Sequence, residues 1–430
     1  MGRTIPIRWI VLALILVASF VSYVLRTNMS IVSETVMTDL GLTEVHLGMA
    51  FSAFAAGYAI FQFPAGVFGG RFGSRFVIAA IAIVWGVLTV VTGLLPASDT
   101  VSIAAIVASL IAVRFLLGVS QAPIFPVTGG TIADWFPTGH WGLPNGLAST
   151  GLTLGAAATA PLVVWLMELY GWRASFYLTA PAALALAAVW WWYVRDYPRD
   201  HARVSPGELA LIDANRPPPQ STEERKGAWK AVLKNRDILL LTASYFCMNY
   251  VFYLFFNWFF FYLVDVKGFS NQEAGALTAA QWVIGAVGAT LGGLSCDRLI
   301  SRFGLRLGPQ ILSIPSLVLC AVFLVLGATS ASPYLTVSLL CICFGCTQIT
   351  EAAYWSTMMS VAGRDASEAG GVLNTGGNIV GFVGGMLVPL TAVNFGWPAA
   401  VSMGSVFALI GAVLWLFIRG DRPMVSERER

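Results

Sequence analysis

Long apolar runs of about 20 residues recur along the whole chain, separated by short polar or glycine- and proline-bearing stretches. A helix of that length spans the roughly 30 Å hydrocarbon layer of a bilayer. Twelve such runs can be laid out, near 6–26, 46–69, 76–96, 101–126, 142–169, 174–194, 238–265, 272–295, 309–328, 332–360, 369–392 and 397–418. The first, in "MGRTIPIRWIVLALILVASFVSYVL", is too long for a signal peptide and has no small-residue cleavage site after it, so it reads as a retained span. One long polar stretch, Arg195 to Asp237, carries the proline- and charge-rich "NRPPPQSTEERKG" and reads as a solvated connector. The pattern predicts an all-α polytopic membrane protein of twelve helices in two six-helix, pseudo-symmetric halves. Residues 1–194 form the first bundle, 195–236 a cytoplasmic linker, and 237–430 the second bundle with a short tail.

Charge placement orients these spans. With both termini cytoplasmic, all of the 25 basic residues except Arg26, Arg114, Arg173 and Lys267 fall in inner loops, the linker or the tails. Basic residues are retained on the cytoplasmic side, so an even number of spans with both ends inside is expected, in the cell membrane. Composition agrees: 57% of residues are hydrophobic and 11% charged, with a mean hydropathy of +0.75, against about 25% charged in soluble domains. No basic cluster interleaves with exposed aromatics, so nucleic acid is not an expected partner. The six cysteines lie mostly in apolar runs without accompanying histidines and read as packing residues; no metal or cofactor is expected. His46, His140 and His201 sit near span ends or in loops, so no catalytic cluster points to a membrane enzyme.

The halves echo each other. "GLASTGLTLG" at 146–155 aligns with "GVLNTGGNIV" at 371–380, and "YGWRASF" at 170–176 with "FGWPAAV" at 395–401, both offset by 225. "GVFGGRFGSR" at 66–75 meets "GLSCDRLISR" at 293–302 at an offset of 227. Ordered matches at nearly one offset mark an internal repeat. Parallel repeats place a substrate near mid-membrane between the halves.

Charges inside the spans supply the candidate chemistry. Arg26, Arg114 and Glu351 stand well inside spans or at their polar breaks, where a charge costs about 2.5–3.5 kcal/mol on insertion scales. Arg114 lies in "VRFLLGVSQAPIFP", whose glycine and prolines let the helix bend. A planar guanidinium holds a carboxylate by two hydrogen bonds, so Arg114 and Arg26 are candidate anion ligands. The competing readings are a buried Arg–Glu tie between helices and, for Arg26, a side chain that snorkels to the surface. Tyr58, Gln121, Tyr354, Trp355, Asn374 and Thr375 are further candidates, with packing or helix–helix bonding as their alternatives. The aromatic run at 252–263 reads as packing and lipid contact, with Tyr250, Tyr253 and Asn257 as further candidates to line the cavity.

The loops after the second and eighth runs, together with "FSAFAAGYAIFQFPAGVFGGRFGSR", "RFLLGVSQAPIFP", "ADWFP", "YGWRASF" and "GGVLNTGGN", resemble the major facilitator superfamily. The closer resemblance is to its anion:cation symporter branch of sugar-acid and organic-anion transporters. It implies alternating-access transport of a small organic anion, with Arg26, Arg114 and Tyr58 at substrate-contacting positions. It also implies carboxylates where this chain has Leu25 and Gln121, and an aspartate where it has Gly70. Leu25 and Gln121 cannot titrate, which speaks against proton symport at those positions and leaves Glu351 as the coupling candidate. Facilitated diffusion, anion exchange and sodium coupling stay open, as do aromatic and dicarboxylic substrates and a non-transporting anion sensor. A monomer is expected.

Overall fold

The computed structural model describes residues 5–96, 101–137, 142–213, 228–362, 366–422 and 424. The "NRPPPQSTEERKG" stretch, Arg364, His140 and the last arginines lie outside the described residues. Among the described residues there is no strand. The helices are α1 (Ile7–Ile31), α2 (Ser33–Leu40), α3 (Glu44–Phe72), α4 (Ser74–Gly93), α5 (Ile103–Gln121), α6 (Ile124–Trp135), α7 (Gly142–Tyr170) and α8 (Trp172–Tyr193). There follow α9 (Pro206–Asp213), α10 (Ala228–Lys234), α11 (Arg236–Phe261), α12 (Asn271–Thr329), α13 (Pro333–Ala362), α14 (Ala366–Phe395) and α15 (Trp397–Trp415).

Eleven described helical stretches are long and apolar enough to cross a membrane. One of them, α12, has 59 residues, about 88 Å of helix, nearly three times the hydrocarbon thickness. It breaks at Gly304, whose φ of 80° and ψ of 174° are not helical, so α12 is two spans and the total is twelve. The fourth span is also broken: α5 ends at Gln121, and Pro123 opens α6. Proline has no amide hydrogen to donate and cannot continue the preceding turn.

The glycine turns reproduce the repeat. Gly171 (φ 82°) and Gly396 (φ 84°) each open the last helix of a half, at the 225-residue offset read from the sequence. The other pair is revised. Gly73 (φ 80°) in "RFGSR" matches Gly304 (φ 80°) in "RFGLR", which places the loop equivalence four residues beyond the alignment at 227. A side chain at positive φ would meet its own backbone, so only glycine turns there at low cost.

By contacts the chain divides into two compact units, Met1–Leu42 with Ala56–Pro219, and Thr43–Ala55 with Gln220–Arg430. Within the first unit α1 packs along α7 and α4 along α8; within the second, the most extensive contact is α12 with α13. The solvent logic is inverted relative to a soluble protein. Ser19, Ser22, Arg26 and Asn28 are buried on α1, while Val17, Trp165, Trp192, Val287 and Leu291 are exposed. Lipid is as apolar as leucine, so the outside asks for hydrocarbon and polar groups are left to face each other.

The described start of the linker is packed, not merely solvated. Glu208 of α9 is buried, and its carboxylate accepts hydrogen bonds from the backbone N–H groups of Ile7 (3.1 Å) and Arg8 (3.0 Å) at the start of α1. These are orphan donors of a helix N-terminus, where negative charge also complements the helix dipole. Asp196 does the same for α4, accepting from Arg75 N–H (2.8 Å) and the Ser74 hydroxyl (3.2 Å). His201 sits between the rings of Trp135 and Tyr193. Burial and the charges of Arg195 and Arg203 hold its imidazole below the usual value, so it is neutral at pH 7 and accepts from Arg203 N–H. Glu208→Ala is expected to cost about 1 kcal/mol, the usual value of a lost cap, and to raise amide hydrogen exchange at the start of α1 without changing exchange in α13; unchanged exchange at Ile7 and Arg8 would contradict the capping role.

Candidate functional site

In the first unit, α1 and α5 bring two cations into the protein interior. Arg26 is 4% exposed and Arg114 2%. The Arg26 guanidinium lies over the Tyr58 ring of α3 at 4.8 Å and over Tyr23 at 5.5 Å. Cation–π contact of this kind steadies a guanidinium without consuming its charge. Arg26 and Arg114 are near enough for their like charges to repel. Holding two guanidinium groups together in low dielectric favours an anion beside them. Arg26 does not snorkel: it is deeply buried among aromatic rings.

Gln121, at the end of α5, is 1% exposed, and its amide nitrogen donates to the Ser22 carbonyl at 3.4 Å. It therefore ties the break of the fourth span to α1. Leu25 is 1% exposed and packs beneath an apolar groove lined also by Leu162, Trp165 and Leu166, so its side chain lies wholly among hydrocarbon. Asn28, which the sequence reading did not single out, bridges α1 to α8. Its amide nitrogen donates to the Ser175 carbonyl (3.2 Å) and the Thr179 hydroxyl (3.3 Å), and its oxygen accepts from the Ser175 hydroxyl (3.0 Å). This clamp holds the polar face of α1 in place two residues from Arg26.

In the second unit, the carboxylate of Glu351 on α13 is the centre of a polar group. Its Oε1 accepts from the Tyr245 hydroxyl of α11 at 2.8 Å and from the Trp355 indole N–H at 2.9 Å. Among the described residues no lysine or arginine forms an ion pair with it. Among the described residues the alternative of a Glu351–arginine tie is therefore not realised. Tyr354, next to Trp355 in sequence, faces elsewhere: it is fully buried, shares a 2.8 Å hydrogen bond with the Ser244 hydroxyl, and packs on Tyr245 and Trp415. Adjacent helical residues point about 100° apart, which separates the two roles.

On α14, Asn374 and Thr375 are half-buried. The Asn378 amide nitrogen donates to the Asn374 carbonyl (2.8 Å) and side-chain oxygen (3.2 Å), and its own oxygen accepts from the Tyr253 hydroxyl (2.7 Å). Asn378 and Tyr245 were absent from the sequence candidates. The i, i+4 spacing of Asn374 and Asn378 in "LNTGGN" was a usable signal for the first; nothing in the α11 sequence marked the second. Tyr250 is a packing residue, stacked on Phe407 at 4.0 Å. Among the described residues no group of side chains could hold a metal ion.

A family model for the Major Facilitator Superfamily matches residues 14–385. The chain is 30% identical over 423 residues to the probable sulfoacetate transporter SauU of Cupriavidus necator, covering 97% of this chain and 95% of that protein. It is 30% identical over 388 residues to the probable galactarate/D-glucarate transporter GudP of Bacillus subtilis, covering 88% and 84%. Among solved structures, a bacterial homologue of the human lysosomal transporter Spinster, inward-facing and unoccupied, has a TM-score of 0.78 at 17% identity, covering 96% of this chain and 97% of that one.

Proposed function

This chain belongs to the Major Facilitator Superfamily, and on that premise we propose that it carries a small carboxylate-bearing organic anion across the membrane by alternating access. It is a multi-pass membrane transporter and not an enzyme. The observation that carries the substrate class is the pair Arg26 and Arg114, buried to 4% and 2% exposure in a bundle whose outer face is apolar. Two guanidinium groups are costly to keep there, and an anion held by charge-assisted hydrogen bonds offsets that cost. Tyr58 sets the orientation of Arg26, and Gln121 holds the broken span against α1. In the second unit, Asn374 and Thr375 offer amide and hydroxyl groups to a polar guest, while the Trp355 indole N–H is held by Glu351 and the Tyr354 hydroxyl by Ser244. Sugar acids and short acids such as sulfoacetate, named for the relatives, are the favoured substrates. The charge bias of the inner loops supports cytoplasmic termini in the cell membrane, and a monomer suffices, since each chain carries both repeats.

Counterflow in proteoliposomes tests the reading. Vesicles loaded with unlabelled D-glucarate or sulfoacetate are expected to take up the labelled acid faster than empty ones, and a neutral sugar is expected not to compete. Binding of these acids without exchange would point to a sensor, and no response to any carboxylate would refute the substrate class.

A further inference from the structure

The reading above rests on the first unit's arginines and gives Glu351 no part. Glu351 stands deep in α13, and it is half-buried, so its carboxylate is not sealed within packed side chains. Both of its hydrogen bonds fall on one oxygen, Oε1. Among the described residues Oε2 receives no hydrogen bond and no cation pairs with either oxygen. The elements packed against this part of α13 are α11, α12 and α14. The titratable groups that interact with it are Tyr245 of α11 and Tyr354 of α13 itself, with Cys247 of α11 beside Tyr354. None supplies a positive charge. A carboxylate so placed has one inexpensive state in a dehydrated interior, the protonated acid, and one inexpensive state in contact with water, the anion.

We propose that Glu351 is the proton carrier of the transport cycle, with Tyr245 and Trp355 as the positioning donors that let its charged form exist. The proposal rests on the anion-transport reading and adds the coupling ion. The proton adds to Oε2 when the site is open to water on the acidic side. Oε1 keeps its two donors in both states, since a carbonyl oxygen accepts as a carboxylate oxygen does. The neutral acid then crosses the conformational change, and the proton returns to water on the other side. One proton enters and one leaves per cycle, with no other bond made or broken.

The test uses purified full-length protein, first in detergent and then in proteoliposomes. Infrared difference spectra between acidic and alkaline pH are expected to contain a protonated-carboxyl C=O band that vanishes in E351Q. Absence of such a band in the unaltered protein, or its persistence in E351Q, would overturn the proposal with no substrate present. In proteoliposomes, each unit of inward pH gradient drives about tenfold accumulation of D-glucarate or sulfoacetate if one net proton accompanies the acid. E351Q is expected to lose that accumulation while keeping counterflow at equal pH. Accumulation unchanged in E351Q overturns the coupling role but leaves anion transport standing; absence of counterflow in the unaltered protein overturns the transport reading, and the infrared band alone then decides whether Glu351 titrates. Should E351Q fail to fold, Tyr245→Phe serves in its place. It removes one donor to the anion and is expected to move the pH profile of the band to higher pH; an unmoved profile would remove Tyr245 from the mechanism.

Discussion

Arg114→Gln is expected to abolish uptake of the organic anion and to leave a folded, membrane-inserted protein. The side chain is 2% exposed, on α5, one helix away from a second buried guanidinium on α1. Loss of one partner from a buried charge-assisted pair costs about 2–5 kcal/mol in binding, roughly 30-fold to several thousand-fold in affinity. Folding responds differently. Arg26 and Arg114 repel each other, and burial of a cation is itself unfavourable, so the neutral variant is expected to melt no lower than the unaltered protein. Thermal unfolding in detergent, read with and without D-glucarate, checks both halves of the result. The unaltered protein gains stability from the acid and the variant does not. Arg114→Lys is expected to rescue little, since an ammonium lacks the planar fork that engages two carboxylate oxygens. Uptake by Arg114→Gln within about twofold of the unaltered protein, a difference too small for any direct charge contact, would remove Arg114 from the site.

Gly292→Val is expected to destabilise the second unit strongly, by an effect that is steric and not electrostatic. A Cβ at Gly292 would meet the carbonyl oxygen of Ile349 and lie 2.7 Å from its Cα. Both are backbone atoms, so no side chain can move aside, and α13 itself must shift. Overpacking of this kind costs about 1–3 kcal/mol or more. Small residues let transmembrane backbones approach closely, and Gly285, Gly288 and Gly345 repeat the device along the same α12–α13 seam. Ile349 is two residues before Glu351, so the displaced helix also separates Glu351 from Tyr245. The neighbouring Gly293 is the control: a Cβ there meets nothing within 4 Å, and Gly293→Ala is expected to be silent. The melting temperature in detergent reads both variants, and equal melting of Gly292→Val and Gly293→Ala would refute the seam.

The spans were legible one by one because hydrophobic transfer is additive over a continuous segment. Two features still escaped. The eighth and ninth spans were read correctly as two, but the turn at Gly304 that separates them was not located, and the loop repeat pairs through "RFGSR" and "RFGLR", not through the alignment at 227. In both cases a single positive-φ glycine decides the chain direction, and composition does not distinguish that glycine from the many that merely pack. The first part of the linker was read as solvated because its residues are polar. Glu208 and Asp196 are polar because they cap helices.

The site was partly legible for a related reason. Arg26, Arg114 and Glu351 stood out because a charge in hydrocarbon needs an explanation wherever it occurs. What each one touches was not legible. Tyr58 under Arg26, Tyr245 on Glu351 and Asn28 between α1 and α8 come from helices far apart in sequence. Tyr354 and Trp355 were equal candidates as neighbouring aromatics, yet one fills the core with its hydroxyl on Ser244 and the other donates to Glu351.

The amino-acid sequence determined by itself that this chain crosses a membrane many times, that it is built as a repeat, and that it keeps two arginines and one glutamate where water is scarce. These follow from the cost of placing each residue in oil, a quantity that depends on local composition alone. The tertiary structure decided which helix faces meet, which of two adjacent aromatics reaches the carboxylate, and which polar residues tie helices together. In a bilayer both the outside and the packed inside of a helix are apolar, so periodicity carries little information about facing. That information enters only when distant helices come close enough for their few polar groups to satisfy one another.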